Sequence, residues 1–370
     1  MLLLNVLFYA FIVIVSIQII YYVFIFSKFA FAKEDNPSLK KIPVSVIVCA
    51  KNEADNLSIL IPKLLEQDYS HFEIVLINDA SSDDTLEVME SFKAKHSNIK
   101  IVNVVNNEAF WGNKKYALTL GIKASSHDFL LFTDADCMPL SNQWIKTMSS
   151  HFTNEKSIVI GYGAYTKQSS SFLNKLIRFE TLFTAIQYFS YVKIRMPYMA
   201  VGRNLAYRKD TFYAVNGFMN HFKIRSGDDD LFVNEAATYQ NTSICFSKDS
   251  FTTSKPKATF KDWYNQKRRH ISTASHYKFK HKFLLGLFYF SQLFFWVLAI
   301  ILFSLAFKPI IVISLFVFRL LVQYIIIGYS SKKLDESATI LLLPFLEIFL
   351  IVFQLSIFMT NLLSKPTHWR

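Results

Sequence analysis

Three clusters of carboxylates stand out in a chain that is otherwise basic. They lie at Asp79–Asp84, Asp134–Asp136 and Asp228–Asp230 and hold 8 of the 28 acidic residues, against 40 lysines and arginines. Like charges this close raise one another's pKa unless a cation or a cationic ligand lies among them. Carboxylate oxygens suit Mg²⁺ or Mn²⁺, which proteins often share with phosphate groups. We therefore expect something positive to bind at these clusters.

Each cluster also has a simpler structural explanation. Asp134-x-Asp136 alone is weak evidence of a metal site, because acidic residues often cap helices, and Asp79 with its neighbours fits an N-cap equally well. The triplet at 228–230 exceeds what capping needs, although a helix N-terminus favours negative charge. One of its carboxylates, with a pKa raised by its neighbours, would make a general base. Lys114 and Arg269 are candidate phosphate partners, or else solvated surface residues.

The elements that must position these residues alternate along the chain. The sequence predicts strands at 44–48, 73–77, 99–105 and 128–133, with helical patterns that end near Gln67, span 83–96 and span 114–124. This alternation indicates βαβ units and a mainly parallel sheet, in which ligands bind beyond the carboxyl ends of the strands. Glu53, Asp79 and Asp134 follow or close such strands, so they are candidate binding residues.

Composition separates a globular part from apolar runs. The chain has 370 residues, of which 52% are hydrophobic and only 18% charged, where a soluble domain would have about 25% charged residues. The runs at 2–27, 283–307, 309–328 and 338–363 are each long enough to cross a ~30 Å hydrocarbon core. This pattern excludes a disordered, collagen-like or disulfide-rich protein. It predicts a transmembrane anchor at 1–30, a globular domain at 31–281 and a membrane domain of three helices at 282–370.

The net charge of +12 fits a membrane protein better than a nucleic-acid binder, because lysines gather beside the apolar runs. Lys28 and Lys33 predict a cytoplasmic globular domain. Lys332 and Lys333 then return to the cytoplasm, and the tail from Lys365 lies outside. The three cysteines are far apart and lack metal-ligand spacing, which favours a reducing compartment.

Two features of the apolar regions leave alternatives open. Arg319 and Glu347 lie inside predicted spans, where an isolated charge is costly, so they either pair with each other or serve the path of an acceptor. Residues 171–193 have near-helical apolar spacing, which fits either a helix packed in a core or one at a membrane interface.

Five segments, taken in order, resemble the family 2 inverting glycosyltransferases of the GT-A fold, the membrane-embedded group that includes cellulose, hyaluronan and poly-N-acetylglucosamine synthases. They are Val44-Ser-Val-Ile-Val-Cys-Ala-Lys-Asn-Glu53, Ile77-Asn-Asp-Ala-Ser-Ser-Asp83, Thr133-Asp-Ala-Asp136, Gly227-Asp-Asp-Asp-Leu231 and Gln266-Lys-Arg-Arg-His270. The resemblance covers roughly residues 42–275. It implies an α/β fold, with a GT-A-like, mainly parallel sheet whose Rossmann-like half binds the nucleotide-sugar, flanked by transmembrane helices.

The resemblance also implies a role for each matching residue. Glu53 and Asp79 look like contacts to the uridine of a UDP-sugar, and Lys114 is similar to a lysine near the diphosphate. Asp136 looks like the ligand of Mg²⁺ or Mn²⁺, and Asp134 like its partner towards the metal and the donor sugar. Gln266 and Arg269 match the motif that holds the diphosphate and the acceptor.

The resemblance leaves two candidates for the catalytic base. Gly227-Asp-Asp with Asn234 matches the hyaluronan-synthase pattern and makes Asp229 the base. Asp230-Leu231 matches the cellulose-synthase pattern and gives Asp228 instead. We favour Asp229.

The implied function is metal-dependent transfer of a hexosyl or N-acetylhexosaminyl group to a saccharide or lipid-linked acceptor, in polysaccharide or glycolipid synthesis. The protein would lie in the inner (plasma) membrane among its lipids, with subunits of a polysaccharide export system as candidate partners. One alternative is a single-sugar transferase acting on a lipid or polyprenyl-phosphate acceptor. Another is an inactive scaffold, because His270 replaces the tryptophan of the last motif. A third is a transporter component, suggested by Arg319 and Glu347.

Overall fold

The computed structural model describes residues 1–35, 41–105, 114–224 and 226–364, which form two compact units. Among the described residues, the sheet unit comprises Glu34–Asn174 and Arg195–Trp263, and the helical unit comprises Met1–Lys33, Lys175–Ile194 and residues 264–364. Gly112, Asn113 and the tail from Lys365 lie outside the described residues. The division into anchor, catalytic domain and membrane domain stays a prediction.

The strands of the sheet unit form one large and one small sheet. They are β1 (Val44–Ala50), β2 (Phe72–Asp79), β3 (Ile99–Val104), β4 (Phe129–Asp134), β5 (Cys137–Pro139), β6 (Ile158–Ile160), β7 (Gly163–Tyr165), β8 (Leu205–Arg208), β9 (Thr242–Ile244) and β10 (Thr252–Ser254). The large sheet has the order β3-β2-β1-β4-β8-β6-β9, and the small sheet has the order β5-β10-β7. Strands β3, β2, β1 and β4 run parallel, and β8 pairs antiparallel with β4 and β6. The predicted mainly parallel α/β sheet is confirmed.

The helices follow the predicted alternation through the sheet unit and then continue as long apolar elements. They are α1 (Leu2–Ile20), α2 (Ser27–Ala30), α3 (Ala54–Leu65), α4 (Thr85–Lys93), α5 (Lys114–Ala124), α6 (Trp144–Ser150), α7 (Phe172–Lys193), α8 (Lys209–Ala214), α9 (Asp230–Ala236), α10 (Phe260–Ser272), α11 (Phe279–Ser304), α12 (Pro309–Lys333) and α13 (Leu343–Leu363). Helix α3 illustrates why they form: its apolar residues recur at helical spacing, and that face is buried in the sheet core.

Within the part of the chain that the structure describes, four segments of the helical unit are long and apolar enough to cross a membrane: Leu2–Ala30, Phe279–Ser304, Pro309–Lys333 and Ser337–Leu363. They coincide with the four apolar runs of the sequence. Helix α7 belongs to the same unit from Lys175 onward, and its apolar side chains Ile177, Leu182 and Ile186 are fully buried. This burial agrees with the core-packing alternative for residues 171–193.

Arg319 and Glu347 form a buried ion pair within the helical unit. The Arg319 guanidinium donates to both carboxylate oxygens of Glu347, at 2.5 and 2.9 Å, and also to Gln18 Oε1 at 2.7 Å. Gln292 Nε2 and Trp296 Nε1 donate to the same carboxylate at 2.9 and 3.1 Å. An uncompensated charge in an apolar interior is costly, and this network compensates both. The structure therefore shows the pairing alternative.

Candidate active site

The carboxyl ends of three parallel strands bring two of the acidic clusters together. Asp79 is the last residue of β2 and Asp134 is the last residue of β4, on either side of β1. The register places Ala50 opposite Asn78 and Cys49 opposite Asp134, so these strands end at nearly the same level. The edge where ligands bind in such sheets therefore carries carboxylates on both sides of β1.

Lys114, the first described residue of α5, joins the second acidic cluster to the third. Its Nζ lies 2.8 Å from Asp134 Oδ1 and 3.1 Å from Asp228 Oδ2. Burial opposes the charged amine, but the carboxylates of Asp134 and Asp228 outweigh it and hold the pKa of Lys114 well above its ordinary value. A small cavity is lined by these side chains together with Gly202 and Asp229. The site therefore contains a permanent positive charge.

Asp229 is held by the backbone rather than by a cation. Its Oδ2 accepts a hydrogen bond from Gly202 N at 2.7 Å, and its Oδ1 accepts one from Asp230 N at 2.7 Å. Burial raises the pKa of Asp229 to about 8, and the negative charges of Asp228 and Asp230 add to this effect. A carboxyl group with a pKa near 8 is suited to take a proton from a hydroxyl group. Asp228 differs, because it pairs with Lys114.

Asp134 and Asp136 fit the ligand set of a hard divalent cation. One potential ligand atom from each of Asp134, Asp136 and Cys137 lies within 4.8 Å of the others. Burial and the charge of Asp136 raise the pKa of the Cys137 thiol well above its ordinary value, and its Sγ donates to Asp136 Oδ1 at 3.3 Å. Cys137 therefore acts as a neutral hydrogen-bond donor to a carboxylate. The remaining oxygen ligands match the preference of Mg²⁺ and Mn²⁺.

Glu53 lies in the loop after β1, which is tied to the loop after β2. Thr85 Oγ1 accepts from Glu53 N at 2.8 Å, and Asp83 Oδ1 accepts from Thr85 Oγ1 at 2.6 Å. Asn56 Nδ2 donates to Glu53 Oε2 at 2.6 Å. Burial raises the pKa of Glu53 and also that of Asp79, although Lys51 and Lys114 oppose the shift at Asp79. Glu53 thus lies in a loop that is braced against the loop following Asp79, the last residue of β2.

The side-chain amide of Asn78, the residue before Asp79, makes two hydrogen bonds at the end of β2. Its Nδ2 donates to Asn103 Oδ1 at 2.8 Å, and its Oδ1 accepts from Ser81 N at 3.2 Å. A carboxylate cannot donate, so an aspartate here would keep the first contact only if the Asn103 amide turned to present its Nδ2. Asn78 therefore braces the loop after β2.

Two contacts at the site could not be inferred from the sequence. The fully buried Lys115 donates from Nζ to the carbonyl oxygens of His221 and Ile224, at 2.8 and 2.9 Å, and so holds the segment that precedes the acidic triplet. Burial lowers its pKa to about 8, and the three aspartates of the triplet oppose this shift. Gly202 supplies one of the two backbone donors to Asp229. The spacing of residues in the sequence shows neither which backbone N–H groups donate nor which of the adjacent residues Lys114 and Lys115 points into the site.

Gln266 and Arg269 lie on α10, in the helical unit. Their assignment to the donor therefore stays a prediction, whereas Asp79, Asp134, Asp136, Lys114, Asp228 and Asp229 all belong to the sheet unit.

A mainly parallel sheet with carboxylates and a charged lysine at its carboxyl edge defines an α/β protein whose ligand site is expected at that edge. Comparison with known proteins then identifies the family. The family model described as "Glycosyl transferase family 2" matches residues 45–224. Residues 45–224 therefore carry a family 2 glycosyltransferase domain, as the motifs indicated.

Relatives and a solved structure agree with this assignment. The chain is 32% identical over 121 residues to a poly-β-1,6-N-acetyl-D-glucosamine synthase of Staphylococcus epidermidis, a match that covers 32% of this chain and 28% of the synthase. It is 27% identical over 215 residues to the glycosyltransferase AglE of Haloferax volcanii, covering 56% of this chain and 64% of AglE. The mannosyltransferase PcManGT of Pyrobaculum calidifontis, solved with GDP-Man and Mn²⁺, aligns with a TM-score of 0.60 at 15% identity, over 90% of this chain and 99% of that protein. This last likeness shows the shared fold.

Proposed function

We propose that the protein transfers a sugar from a UDP-sugar to a saccharide or lipid-linked acceptor at the membrane, with inversion at the anomeric carbon. The observation that carries this proposal is the grouping of Asp134, Asp228 and Asp229 around Lys114 at the carboxyl edge of the sheet. The family 2 domain supports glycosyl transfer. The relation to a poly-β-1,6-N-acetyl-D-glucosamine synthase supports a role in polysaccharide synthesis.

In the proposed reaction Asp229 takes the proton of an acceptor hydroxyl group. The freed oxygen attacks the anomeric carbon from the face opposite the nucleotide, and the bond from that carbon to the diphosphate oxygen breaks. Lys114, which keeps its positive charge, stabilises the negative charge that grows on the departing diphosphate. An α-linked donor would thus give a β-linked product.

The remaining roles follow from the resemblance and the positions of the residues. Glu53 and Asp79 would bind the uridine, and Gln266 and Arg269 would bind the diphosphate. Mg²⁺ or Mn²⁺ held by Asp134 and Asp136 would neutralise charge on the diphosphate. The oxygen ligands of this chain support the assignment, and PcManGT was solved with GDP-Man and Mn²⁺.

We place the catalytic domain on the cytoplasmic side of the inner (plasma) membrane. Lys333 Nζ donates to Ala32 O at 2.5 Å, so the end of the third candidate span lies beside the end of the first. Both ends are basic, with Lys28 and Lys33 on one and Lys332 and Lys333 on the other. The positive-inside rule favours the cytoplasm for such ends.

The proposal is tested with the purified protein in detergent. A panel of UDP-sugars is supplied with Mn²⁺ or Mg²⁺, with and without a membrane lipid extract, and the transferred sugar and its anomeric configuration are determined by NMR. We expect β-linked product from one donor, lost on chelation of the metal. A need for lipid would identify a lipid-linked acceptor. UDP binding without transfer would favour the inactive scaffold, and absence of UDP binding would contradict the proposal.

A further inference from the structure

Side-chain contacts define the direction of the first three long helices in the helical unit. Tyr21 Oη donates to Leu284 O at 2.7 Å, and Gln18 Nε2 donates to Ser291 Oγ at 2.5 Å, so α1 and α11 run antiparallel. Helix α12 runs alongside α1 in the same direction, with contacts of Lys308 to the Phe8 ring, Arg319 to Gln18 and Lys333 to Ala32. Ala32, Phe279 and Lys333 therefore lie at one end of the bundle, which we call the basic end.

The last apolar segment starts at this basic end and reaches the middle of the bundle. Glu336, three residues after α12, forms an ion pair with Arg178 of α7. The segment then brings Glu347 to the level of Arg319, which is also the level of Gln18 on α1.

The chain reverses before Glu347, where the short helical turn Ser337–Leu342 meets α13, and from Glu347 onward α13 runs back instead of continuing across. Glu347 accepts from Gln292, and four residues later Ile351 O accepts from Tyr289 Oη at 3.0 Å, closer to the start of α11. Further on, Thr360 Oγ1 lies 2.8 Å from Tyr264 Oη, and Asn361 Oδ1 accepts from Arg268 Nε at 3.0 Å. Both partners belong to α10, which precedes α11 in the chain.

Helix α7 shows independently that both ends of the segment lie at the same end of the bundle. Arg178 holds Glu336, and Glu180, two residues further along α7, pairs with Lys267 Nζ at 2.5 Å. Lys267 adjoins Arg268, which holds Asn361 and Ser364. The start and the finish of the segment are thus tied to one turn of α7.

We propose that Ser337–Leu363 is a re-entrant segment that enters and leaves at the basic end, and that its returning end positions α10. The chain would then cross the membrane three times. This differs from the topology predicted from the sequence, in which a fourth crossing places the tail outside. Hydropathy alone cannot tell a crossing from a hairpin of the same length, because both need apolar side chains.

The contacts of α10 divide its two faces. At about 100° per residue, Tyr264, Lys267 and Arg268 share one face, and Gln266 and Arg269 point to the other. The first face carries the bonds to Thr360, Asn361 and Ser364 and the ion pair with Glu180. The second face carries the two residues that the proposed function assigns to the diphosphate.

Arg268 and Asn361 are therefore positioning residues that act through Arg269. Arg268 also donates from Nη2 to Ser364 O at 2.7 Å, and its own carbonyl accepts from Asn361 Nδ2 at 3.1 Å. The side chain and the carbonyl oxygen of Arg268 thus make four hydrogen bonds to Asn361 and Ser364, and these bonds fix the rotation of α10 about its own axis. This positioning role rests on the proposed function, whereas the re-entrant path does not.

The path is tested by placing one epitope tag before Met1 and another after the last residue of the full-length protein. Antibody access is compared in intact spheroplasts and after permeabilisation. Three crossings place the two tags on opposite sides of the membrane, which is the result we expect. Tags on the same side would mean four crossings and would overturn the re-entrant segment.

The positioning role is tested by a charge exchange. We expect Arg268→Glu and Asn361→Lys each to lower kcat/KM by about 10²-fold, as small misplacements of binding groups do, and the double variant to recover most of it. In an Arg269→Ala background Arg268→Glu should cost nothing further, whereas a merely structural role would still add its loss. Lys261→Glu, at an exposed lysine of the same helix, is the matched control.

Metal-dependent UDP binding by the same variants separates this proposal from the proposed function. UDP affinity that is lost in the two single variants and recovered in the double variant, without any sugar transfer by the wild type, would contradict the proposed function and support the positioning role. Transfer and UDP binding at wild-type level in both single variants would overturn the positioning role and leave the proposed function intact.

Discussion

Asp229 combines two properties that a general base needs. Two backbone N–H groups, from Gly202 and Asp230, fix the direction of its carboxylate. Burial, together with the neighbouring acids Asp228 and Asp230, raises its pKa to about 8. The same burial that favours proton uptake also makes the ionised carboxylate costly to bury. We therefore expect ionised Asp229 to lower the stability of the folded protein while it supports the reaction.

The pKa of Asp229 predicts the pH dependence of transfer. Asp229 accepts a proton only when it is ionised, so kcat/KM should rise with pH and level off above about 8. The profile of kcat/KM reports the free enzyme, and it is measured by UDP release across pH 6–9. A profile that is flat over this range, or that falls as the pH rises towards 8, would contradict the assignment.

Asn substitutions separate the two candidate bases. Asp229→Asn should lower kcat by about 10²–10⁴-fold with little change in the KM of the donor. Asp228→Asn removes a partner of Lys114 and should mainly raise the donor KM, because it disturbs the charge near the diphosphate. The reverse pattern would assign the base to Asp228.

Unfolding provides a second signature of Asp229. Its folded-state pKa lies above the unfolded value of about 3.9, so the folded state binds more protons between about pH 4 and 8, and stability falls as the pH rises through that window. Asp229→Asn removes the ionisation, although its amide keeps only one of the two backbone hydrogen bonds. We therefore expect the unfolding midpoint of the wild type to fall between pH 5 and 8 by about 2 °C or more relative to that of Asp229→Asn. The same pH dependence in both proteins would argue against the raised pKa.

At this scale the sequence predicted the residues that close strands. Asp79 and Asp134 follow apolar strands, so topology alone brings them to one edge. The sequence could not predict that Lys114 bridges two acidic clusters while its neighbour Lys115 holds a loop. Adjacent side chains on a helix point about 100° apart, and only tertiary packing decides which of the two enters the site.

The strands and helices of the sheet unit follow from periodicity. The predicted strand at 73–77 appears as Phe72–Asp79, and the predicted helix at 83–96 appears as Thr85–Lys93. The helix begins two residues later than predicted because Asp83 Oδ1 accepts hydrogen bonds from the backbone N and the side-chain Oγ1 of Thr85, and Thr85 in turn accepts one from Glu53 N of the neighbouring loop. The spacing of residues in the sequence cannot show that Asp83 and Thr85 make contacts with a neighbouring loop in addition to those at the helix start.

The turn before α9 depends on one glycine. Gly227 has φ +94°, and a Cβ there would lie 2.5 Å from Leu231 Cδ1. Gly227→Ala should therefore cost about 1–3 kcal/mol of stability and displace the acidic triplet, with loss of transfer. Thermal unfolding and UDP release measure the two effects. In the control Gly286→Ala the new Cβ meets nothing within 4 Å, so both values should stay at or above those of the wild type; equal losses in both variants would contradict the argument.

The helical unit shows what composition can and cannot establish. The apolar runs predicted the long helices, and the isolated charges Arg319 and Glu347 raised the question of a pair, which the structure answers. The path of the last segment could not be predicted, because it depends on contacts between residues far apart in sequence, such as Arg268 with Asn361.

The buried ion pair of Arg319 and Glu347 predicts how substitutions change the stability of the helical unit. Glu347→Ala leaves the Arg319 guanidinium buried without its carboxylate and should destabilise the protein by about 3–5 kcal/mol. Thermal unfolding in detergent measures this loss. The double variant Arg319→Met with Glu347→Leu removes both charges and should be less destabilised than Glu347→Ala. A double variant that unfolds earlier than the single one would contradict the pairing account.

Metal-dependent UDP release by four proteins tests the central claim most directly. The wild type, Asp229→Asn, Asp136→Ala and the control Asp249→Asn, at an exposed aspartate outside the three acidic clusters, are assayed with the same UDP-sugar and Mn²⁺. We predict release by the wild type and the control, and at least about 10²-fold less by the other two. Wild-type rates from Asp229→Asn and Asp136→Ala would show that the acidic edge of the sheet is not where the sugar is transferred.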